Sequence, residues 1–485
     1  MFERLLHSRL HVFGLAFALS LLAFSAAPLR AEIGTYILVD ARTGAVLDEQ
    51  DATRKWYPAS LTKMMTAYVT FKAIRDGKAS LNSIVVQSAN SIKEPPSKMG
   101  FKVGTQFTVE TALKIILIKS ANDIAVALGE AIGGSEPAFI DMMNAEARRL
   151  GMNDTVFVNP NGLPDNRQIT TARDMAILAQ ALQRDFPQAQ NYYNHPGIKF
   201  GKKTLRSANR EFLMRVRGAN GMKTGYICNS GYNVAASVTR NGRTLIAVVL
   251  GAASGLERIA FTRDLMDKGF RKRSGRYTLK TLPRQGGNPP ADHYCKRNEK
   301  PGAEGIMAQF DMQSGNSGGP VLSYASSARS NDRGPAIPGL RLGKRSKSAD
   351  TGGKVDASVK LANGKIDWGK VMDRTIGPRR IAYAPIPIDL SVPKGAAPPA
   401  AAISADTDDD TGSGQPDGGL SVSVPLPTPN PIRILEIKLK SAAKAAAPGA
   451  VAQKDFVKAE TDAPMAAPGS LFQKGTGIAV PAPKP

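Results

Sequence analysis

Apolar and polar residues alternate over residues 33–49 around Thr43-Gly44, and that period of two predicts a β-hairpin. From residue 60 the period lengthens. Leu61, Met64, Met65, Tyr68 and Phe71 recur at spacings of three and four, which predicts a helix to about residue 74. Thr108 stands where a cap would open a second helix through residue 118, with Leu113, Ile116 and Leu117 on its buried face; the chain then pauses at Lys119-Ser120-Ala121-Asn122. Helical patterns follow over about 123–132, 136–150 and 171–183, the middle one stopping at Gly151. Strand patterns come next, at 221–227 and then at 232–239 and 244–250, which flank the hairpin dipeptide Asn241-Gly242. A last helix spans about 256–270 and is marked by Ile259, Phe261 and Leu265. Strands, helices, strands and a closing helix predict an α+β domain with helices covering an antiparallel sheet.

After Tyr277 the pattern dissolves into Pro289-Pro290, Pro398-Pro399, Ala400-Ala401-Ala402 and scattered glycine pairs, the composition of linker. The aromatic residues agree. Of 17 Phe, 11 Tyr and 2 Trp, only Tyr294, Phe310, Tyr324, Trp368, Tyr383, Phe456 and Phe472 lie beyond residue 277, too few to build a second large core. The expected organisation is therefore a folded domain over 32–277 and a mostly disordered tail over 278–485, whose deletion should leave chemistry on a soluble peptide intact. Within the tail, Ile432-Arg433-Ile434-Leu435-Glu436-Ile437-Lys438-Leu439-Lys440 has apolar residues spaced nearer to two than to 3.6 and reads as a strand or docking segment.

Residues 1–31 read as an export signal. Arg4, His7 and Arg9 precede an apolar run from Val12 to Phe24, followed by small residues at which cleavage after Ala27 or Ala31 is expected. The mature protein is thus expected outside the cytoplasm, in a periplasm or at the outer face of the cytoplasmic membrane. The net charge of +23 asks for a polyanionic neighbour, and export turns that expectation from nucleic acid toward anionic lipid or wall polymer met by the basic tail. The two cysteines, Cys228 and Cys295, fall one in the expected domain and one in the expected tail; sequence leaves their pairing open.

Candidate chemistry begins at Tyr57-Pro58-Ala59-Ser60-Leu61-Thr62-Lys63-Met64-Met65. Ser60 and Lys63, three apart in the first turn of a helix, share one face, so an amine lies beside a hydroxyl that needs a base to become a nucleophile. A helix start adds backbone N–H groups that can stabilise an oxyanion. Ser120 and Asn122 sit in an inter-helix pause, where both can face a cleft, the hydroxyl relaying a proton and the amide holding a carbonyl. Lys223-Thr224-Gly225 opens a strand whose edge can pair with a peptide, with Lys223 and Thr224 placed to receive a carboxylate and Gly225 allowing close approach.

In this order and context the three motifs resemble those of the penicillin-binding proteins and class A β-lactamases, Ser-x-x-Lys, Ser-x-Asn and Lys-Thr-Gly. The flanking Lys119-Ser120-Ala121-Asn122-Asp123-Ile124-Ala125, Asn159-Pro160-Asn161-Gly162-Leu163 and Gly221-Met222-Lys223-Thr224-Gly225-Tyr226 are similar to the low-molecular-mass serine-type D-alanyl-D-alanine carboxypeptidases, over roughly residues 33–270. The resemblance implies a β-lactamase/transpeptidase-like fold with an additional helical subdomain. It implies that Ser60 attacks the penultimate D-alanine of a peptidoglycan stem peptide, that Lys63 accepts its proton, and that Ser120 and Lys223 protonate the departing D-alanine. Asn122 would position the acyl-enzyme, Thr224 the terminal carboxylate, and the backbone N–H groups of Ser60 and Tyr226 the oxyanion. β-Lactams would acylate Ser60. The second, β-rich domain usual in the family is not recognisable after 277, and Arg210 is the candidate for an arginine assisting the substrate carboxylate.

Alternatives remain. A DD-endopeptidase would use the same residues. A class A-like β-lactamase needs a deacylating glutamate, and none occurs between Gly151 and Thr170. A wall-binding relic would keep the fold without turnover. Gly315-Asn316-Ser317-Gly318-Gly319-Pro320 resembles a chymotrypsin-type nucleophile loop but has no barrel or histidine partner in pattern, and Asp406, Asp408 and Asp410 lack the rest of a calcium loop. No zinc spacing is present, so no metal and no cofactor are expected.

Overall fold

The computed structural model describes residues 33–298, 300–313, 357–381 and 384–400. The export signal, the 315–320 loop, the aspartate triplet at 406–410 and the 432–440 island all lie outside the described residues.

The chain enters through β1 (Thr35–Asp40) and β2 (Ala45–Gln50), the hairpin that alternation predicts. Side chains of β1 go to opposite faces in turn, Ile37 and Val39 into one apolar cluster, Tyr36 and Leu38 into another. A 3-10 turn (Ala59–Thr62) then leads into α1 (Lys63–Arg75), which is buried on nearly every side. After the short pair β3 (Ile84–Val86) and β4 (Gln106–Thr108) comes α2 (Val109–Lys114), capped by the Thr108 hydroxyl, which accepts from the N–H of Thr111 at 3.1 Å. The expected helix through 118 does not stay regular: it widens to a π turn over Ile115–Lys119 and stops at Ser120, whose φ is 67°. The helices α3 (Asn122–Gly133), α4 (Glu136–Leu150) and α5 (Ala172–Asp185) follow, the last two opened by Ser135 and Thr171 caps.

A turn of helix α6 (Gln190–Tyr193), the hairpin β5 (Gly197–Phe200) and β6 (Lys203–Arg206), and α7 (Arg210–Arg215) precede the long strands β7 (Ala219–Ile227), β8 (Gly231–Arg240) and β9 (Arg243–Ala252). Between β8 and β9, Asn241 and Gly242 both take positive φ, as a tight hairpin requires. Then come α8 (Gly255–Arg271) and β10 (Tyr277–Thr278). Six strands form one antiparallel sheet in the order β10-β2-β1-β9-β8-β7. One face carries α8; the other carries α5 and, beyond it, the helical part with α1, α3 and α4. This is the expected α+β arrangement, and it leaves β7 as an edge strand beside the turn that holds Ser60.

The boundary expected at 277 requires correction. Residue 277 lies inside β10, paired with Val46 of β2, and Leu279 and Leu282 are buried in the main core. Farther on, α9 (Tyr294–Arg297) is pinned by a disulfide between Cys228 and Cys295. The helices α10 (Ala303–Phe310) and α11 (Trp368–Thr375) lie on α8, with Ile306 and Phe310 against Ala260, and β11 (Ile386–Ile388) runs parallel to β5. These pieces are too short and sparsely apolar to be recognised alone. Each is ordered by docking on a surface already built.

Candidate active site

Local strain opens the site. Ala59 has φ of 49°, uncommon for a residue with a side chain, and this bend presents Ser60 at the start of the 3-10 turn. Buried Asn233 of β8 holds the approach: its amide donates to the carbonyls of Tyr57 and Pro58 at 3.0 and 3.3 Å and accepts from the N–H of Gly251 at 3.0 Å. One helical turn on, the fully buried Lys63 Nζ lies 3.2 Å from Ser60 Oγ. It also donates to Asn122 Oδ1 at 2.7 Å and to the carbonyl of Asn161 at 2.6 Å. Burying an amine without such acceptors would be costly, so these oxygens fix both its place and its direction.

The left-handed Ser120 ends the π turn and starts a second pairing. Its Oγ accepts from Lys223 Nζ of β7 at 2.8 Å, and the same ammonium reaches the carbonyl of Thr224 at 2.8 Å. Each serine thus has its own buried lysine. Asn122, the first residue of α3, joins the two halves: its amide nitrogen donates to the carbonyl of Pro95 at 2.9 Å and its side-chain oxygen receives Lys63. The three motifs that sequence separates by more than 160 positions therefore meet in one cleft.

Gly225 has a close neighbour within the chain itself. A Cβ there would stand 3.0 Å from both the Ser60 nitrogen and the Pro58 carbonyl oxygen, so the glycine lets β7 itself close on the Ser60 turn. Gly162, at φ of 86°, backs the same turn from the other side, where a Cβ would fall 1.9 Å from the Ala59 oxygen. Backbone N–H groups at Ser60 and along β7 consequently border one small space. Thr224 is buried beside it, and the Tyr226 ring packs against Tyr232 with centroids 4.4 Å apart and planes tilted by 40°, its hydroxyl pushed up to about 12 by burial and by Tyr232.

Arg210 is bound to Glu211 at 2.5 Å. A buried cation that sequence reading missed is Arg258, on α8 above the Tyr232 ring, which donates to the carbonyl of Ala208 at 3.2 Å. No motif marks it. Also missed are Asn161 as a partner of Lys63 and Glu94, whose Oε2 accepts from Asn161 Nδ2 at 2.9 Å. A glutamate does reach the 151–170 stretch, then, but from a loop more than 50 residues earlier; a local search for one could not find it.

The family model described as D-alanyl-D-alanine carboxypeptidase matches residues 23–254. A D-alanyl-D-alanine carboxypeptidase, DacA, of Haemophilus influenzae is 36% identical over 265 residues, covering 53% of this chain and 66% of the relative. The carboxypeptidase DacD of Escherichia coli is 32% identical over 268 residues, covering 54% of this chain and 69% of the relative. The chain spans about two thirds of the length of these curated relatives, just under it for the first. The solved structure of penicillin binding protein 5 from Haemophilus influenzae is similar at 33% identity and a TM-score of 0.48, over 51% of this chain and 73% of that one.

Proposed function

The chain belongs to the D-alanyl-D-alanine carboxypeptidase family, and we propose that it is a serine-type enzyme that removes the terminal D-alanine from peptidoglycan stem peptides. The observation that carries this reading is the pair of buried lysines, each hydrogen-bonded to one serine, Lys63 to Ser60 and Lys223 to Ser120, across one cleft. Two separated proton routes suit a reaction in which one hydroxyl must lose a proton while an amine leaving group must gain one.

In the proposed scheme Ser60 Oγ attacks the carbonyl of the penultimate D-alanine as Lys63, in its neutral form, takes the proton. The tetrahedral oxygen is held by the N–H groups of Ser60 and Tyr226. Thr224 and Lys223 receive the terminal carboxylate, and Ser120, paired with Lys223, passes a proton to the departing amine. Asn122 keeps the acyl chain in line. Water then cleaves the ester and frees Ser60. A β-lactam carries the same carbonyl and carboxylate in a ring whose leaving nitrogen stays tethered, so it acylates Ser60 and departs slowly. The setting is the outside of the cell, with the basic residues beyond 277 toward wall polymer or anionic lipid.

The test is D-alanine release from a soluble peptide ending in D-Ala-D-Ala, by the full chain and by Ser60→Ala, each with and without penicillin. Release that disappears in the variant and under penicillin supports the reading. Penicillin labelling of Ser60 without release of D-alanine would favour cross-link cleavage or a wall-binding relic, and no labelling would overturn the assignment.

A further inference from the structure

Glu94 stands at the centre of a layer behind the reactive groups that no motif announces. The loop over residues 94–97 touches the surroundings of Lys63 at several points: the Pro95 carbonyl accepts from the Asn122 amide, the Ser97 carbonyl accepts from the Asn122 backbone N–H at 2.7 Å, and Ser97 Oγ accepts from Lys119 Nζ at 2.7 Å. Glu94 completes this contact through Asn161. The same asparagine, only 1% exposed, takes Lys63 Nζ on its backbone oxygen at 2.6 Å and gives its side-chain N–H to Glu94 at 2.9 Å. Its remaining amide oxygen is used by the N–H of Leu163 at 2.9 Å, so the side chain has one orientation. A carboxylate thus lies one residue from the amine that must lose its charge to act as a base.

We propose that Glu94 is a positioning residue for deprotonation of Ser60: by its bond to Asn161 it fixes the carbonyl that anchors Lys63, and by its charge it sets how firmly Lys63 keeps a proton. This rests on the serine carboxypeptidase reading above. The groups that face Glu94 are Lys63 on α1, Asp123 at the start of α3 and Glu136 at the start of α4. Asp123 is held by the N–H groups of Met99, Gly100 and Ile124, while Glu136 shares the Asn90 amide with Glu130. Facing Lys63 are Ser60, Asn122 and Asn161, with Lys223 on β7 across the cleft. Burial and the like charge of Glu136 hold the Glu94 carboxyl above its ordinary range, and the Asn161 bond and Lys63 oppose them. Above that titration Glu94 is an anion, and an anion near an amine favours the ammonium form. Removing the charge must therefore move the base form of Lys63 to lower pH.

The experiment measures the acylation rate of the full chain by a fluorescent penicillin from acid to alkaline pH, and separately the release of the label. Glu94→Gln keeps an acceptor for Asn161 without the charge; its acid limb is expected to move down by roughly one pH unit, with the plateau within about threefold of wild type. Glu94→Asp, which keeps the charge, should return the limb toward wild type. Glu94→Ala should shift the limb and also lower the plateau roughly tenfold, because Asn161 loses its acceptor. Superimposable wild-type and Glu94→Gln profiles, or a shift to higher pH, would overturn the inference. So would an effect confined to label release, which would put the carboxylate on the ester-hydrolysis step. Failure of wild type to label at all would instead remove the serine reading beneath it.

Discussion

The body over residues 33–275 and the wrap that follows it are held by different forces, and the difference separates chemistry from support. In the body, two large apolar clusters sandwich the sheet, and Ser60, Lys63, Ser120 and Lys223 gather beside or on the edge strand β7. The described part of the wrap sends Leu279, Leu282 and Ile388 into the main core and adds a small cluster of Ala303, Met307, Val359 and Val371, supplemented by polar ties. Arg215, 4% exposed, pairs with Glu211, with Asp373 at 2.5 Å and with the carbonyl of Gly377; Arg374 pairs with Asp311; Arg379 pairs with Glu211 at 2.9 Å. A covalent tie, Cys228–Cys295, sits just past the end of β7. Substitutions in the body should therefore strike turnover, and those in the wrap should strike stability.

The largest expected effect is on Lys63→Ala. Penicillin acylation should fall by about 10³-fold or more, the scale of a lost general base, while the thermal unfolding transition remains cooperative. Next is Cys228→Ser with Cys295→Ser. Opening a crosslink that spans 67 residues is expected to cost about 2–4 kcal/mol in chemical denaturation, with acylation of the folded enzyme changed by less than about threefold. A drop in acylation as large as the drop in stability would break the division, because it would make the wrap a shaper of the cleft.

A pH series sharpens the same comparison through two carboxylates of opposite sign. Glu211 is raised by burial but lowered more by hydrogen bonds from Arg379, Arg215 and Arg210, reaching about 2. Its contribution is present above the ordinary 4.5 and is lost as pH falls toward 2. Glu257, buried at the start of α8, goes the other way to about 7: desolvation outweighs the N–H groups of Ala253 and Ser254. Its contribution is present below 4.5 and is lost as pH rises through 7. Urea unfolding should show Glu211→Gln flattening the acid side and Glu257→Gln the neutral side. The smallest effect is expected for Asp373→Ala. That carboxylate is 53% exposed, and its removal should cost less than about 1 kcal/mol in the same assay because Arg215 retains Glu211 and Gly377.

Legibility follows the same line between body and wrap. The β1–β2 hairpin, α1, α5 and the β8–β9 turn were readable because their periodicity and turn residues agree with the final structure. Ser60, Lys63, Ser120, Asn122 and Lys223 were readable as motifs, since spacing within a turn or along a strand carries geometry. Glu94, Asn161, Asn233 and Arg258 were not, because each acts through a contact distant in the chain. Helix α10 and helix α11 escaped for another reason: segments of 8 residues have little intrinsic stability and gain it from docking.

By itself the sequence determined the alternation that builds a two-faced sheet, the helices that cover it and the local serine–lysine and lysine–threonine pairs. Those features depend on neighbours within a few residues, and local sterics and hydrophobic periodicity suffice to set them. Tertiary structure alone decided that Lys223 meets Ser120, that Gly225 closes on the Ser60 turn, that a glutamate stands behind Lys63, and that described segments beyond 277 pack against the body. These depend on buried polar atoms finding partners across long separations, and a buried donor takes whichever acceptor the completed fold places within hydrogen-bond reach.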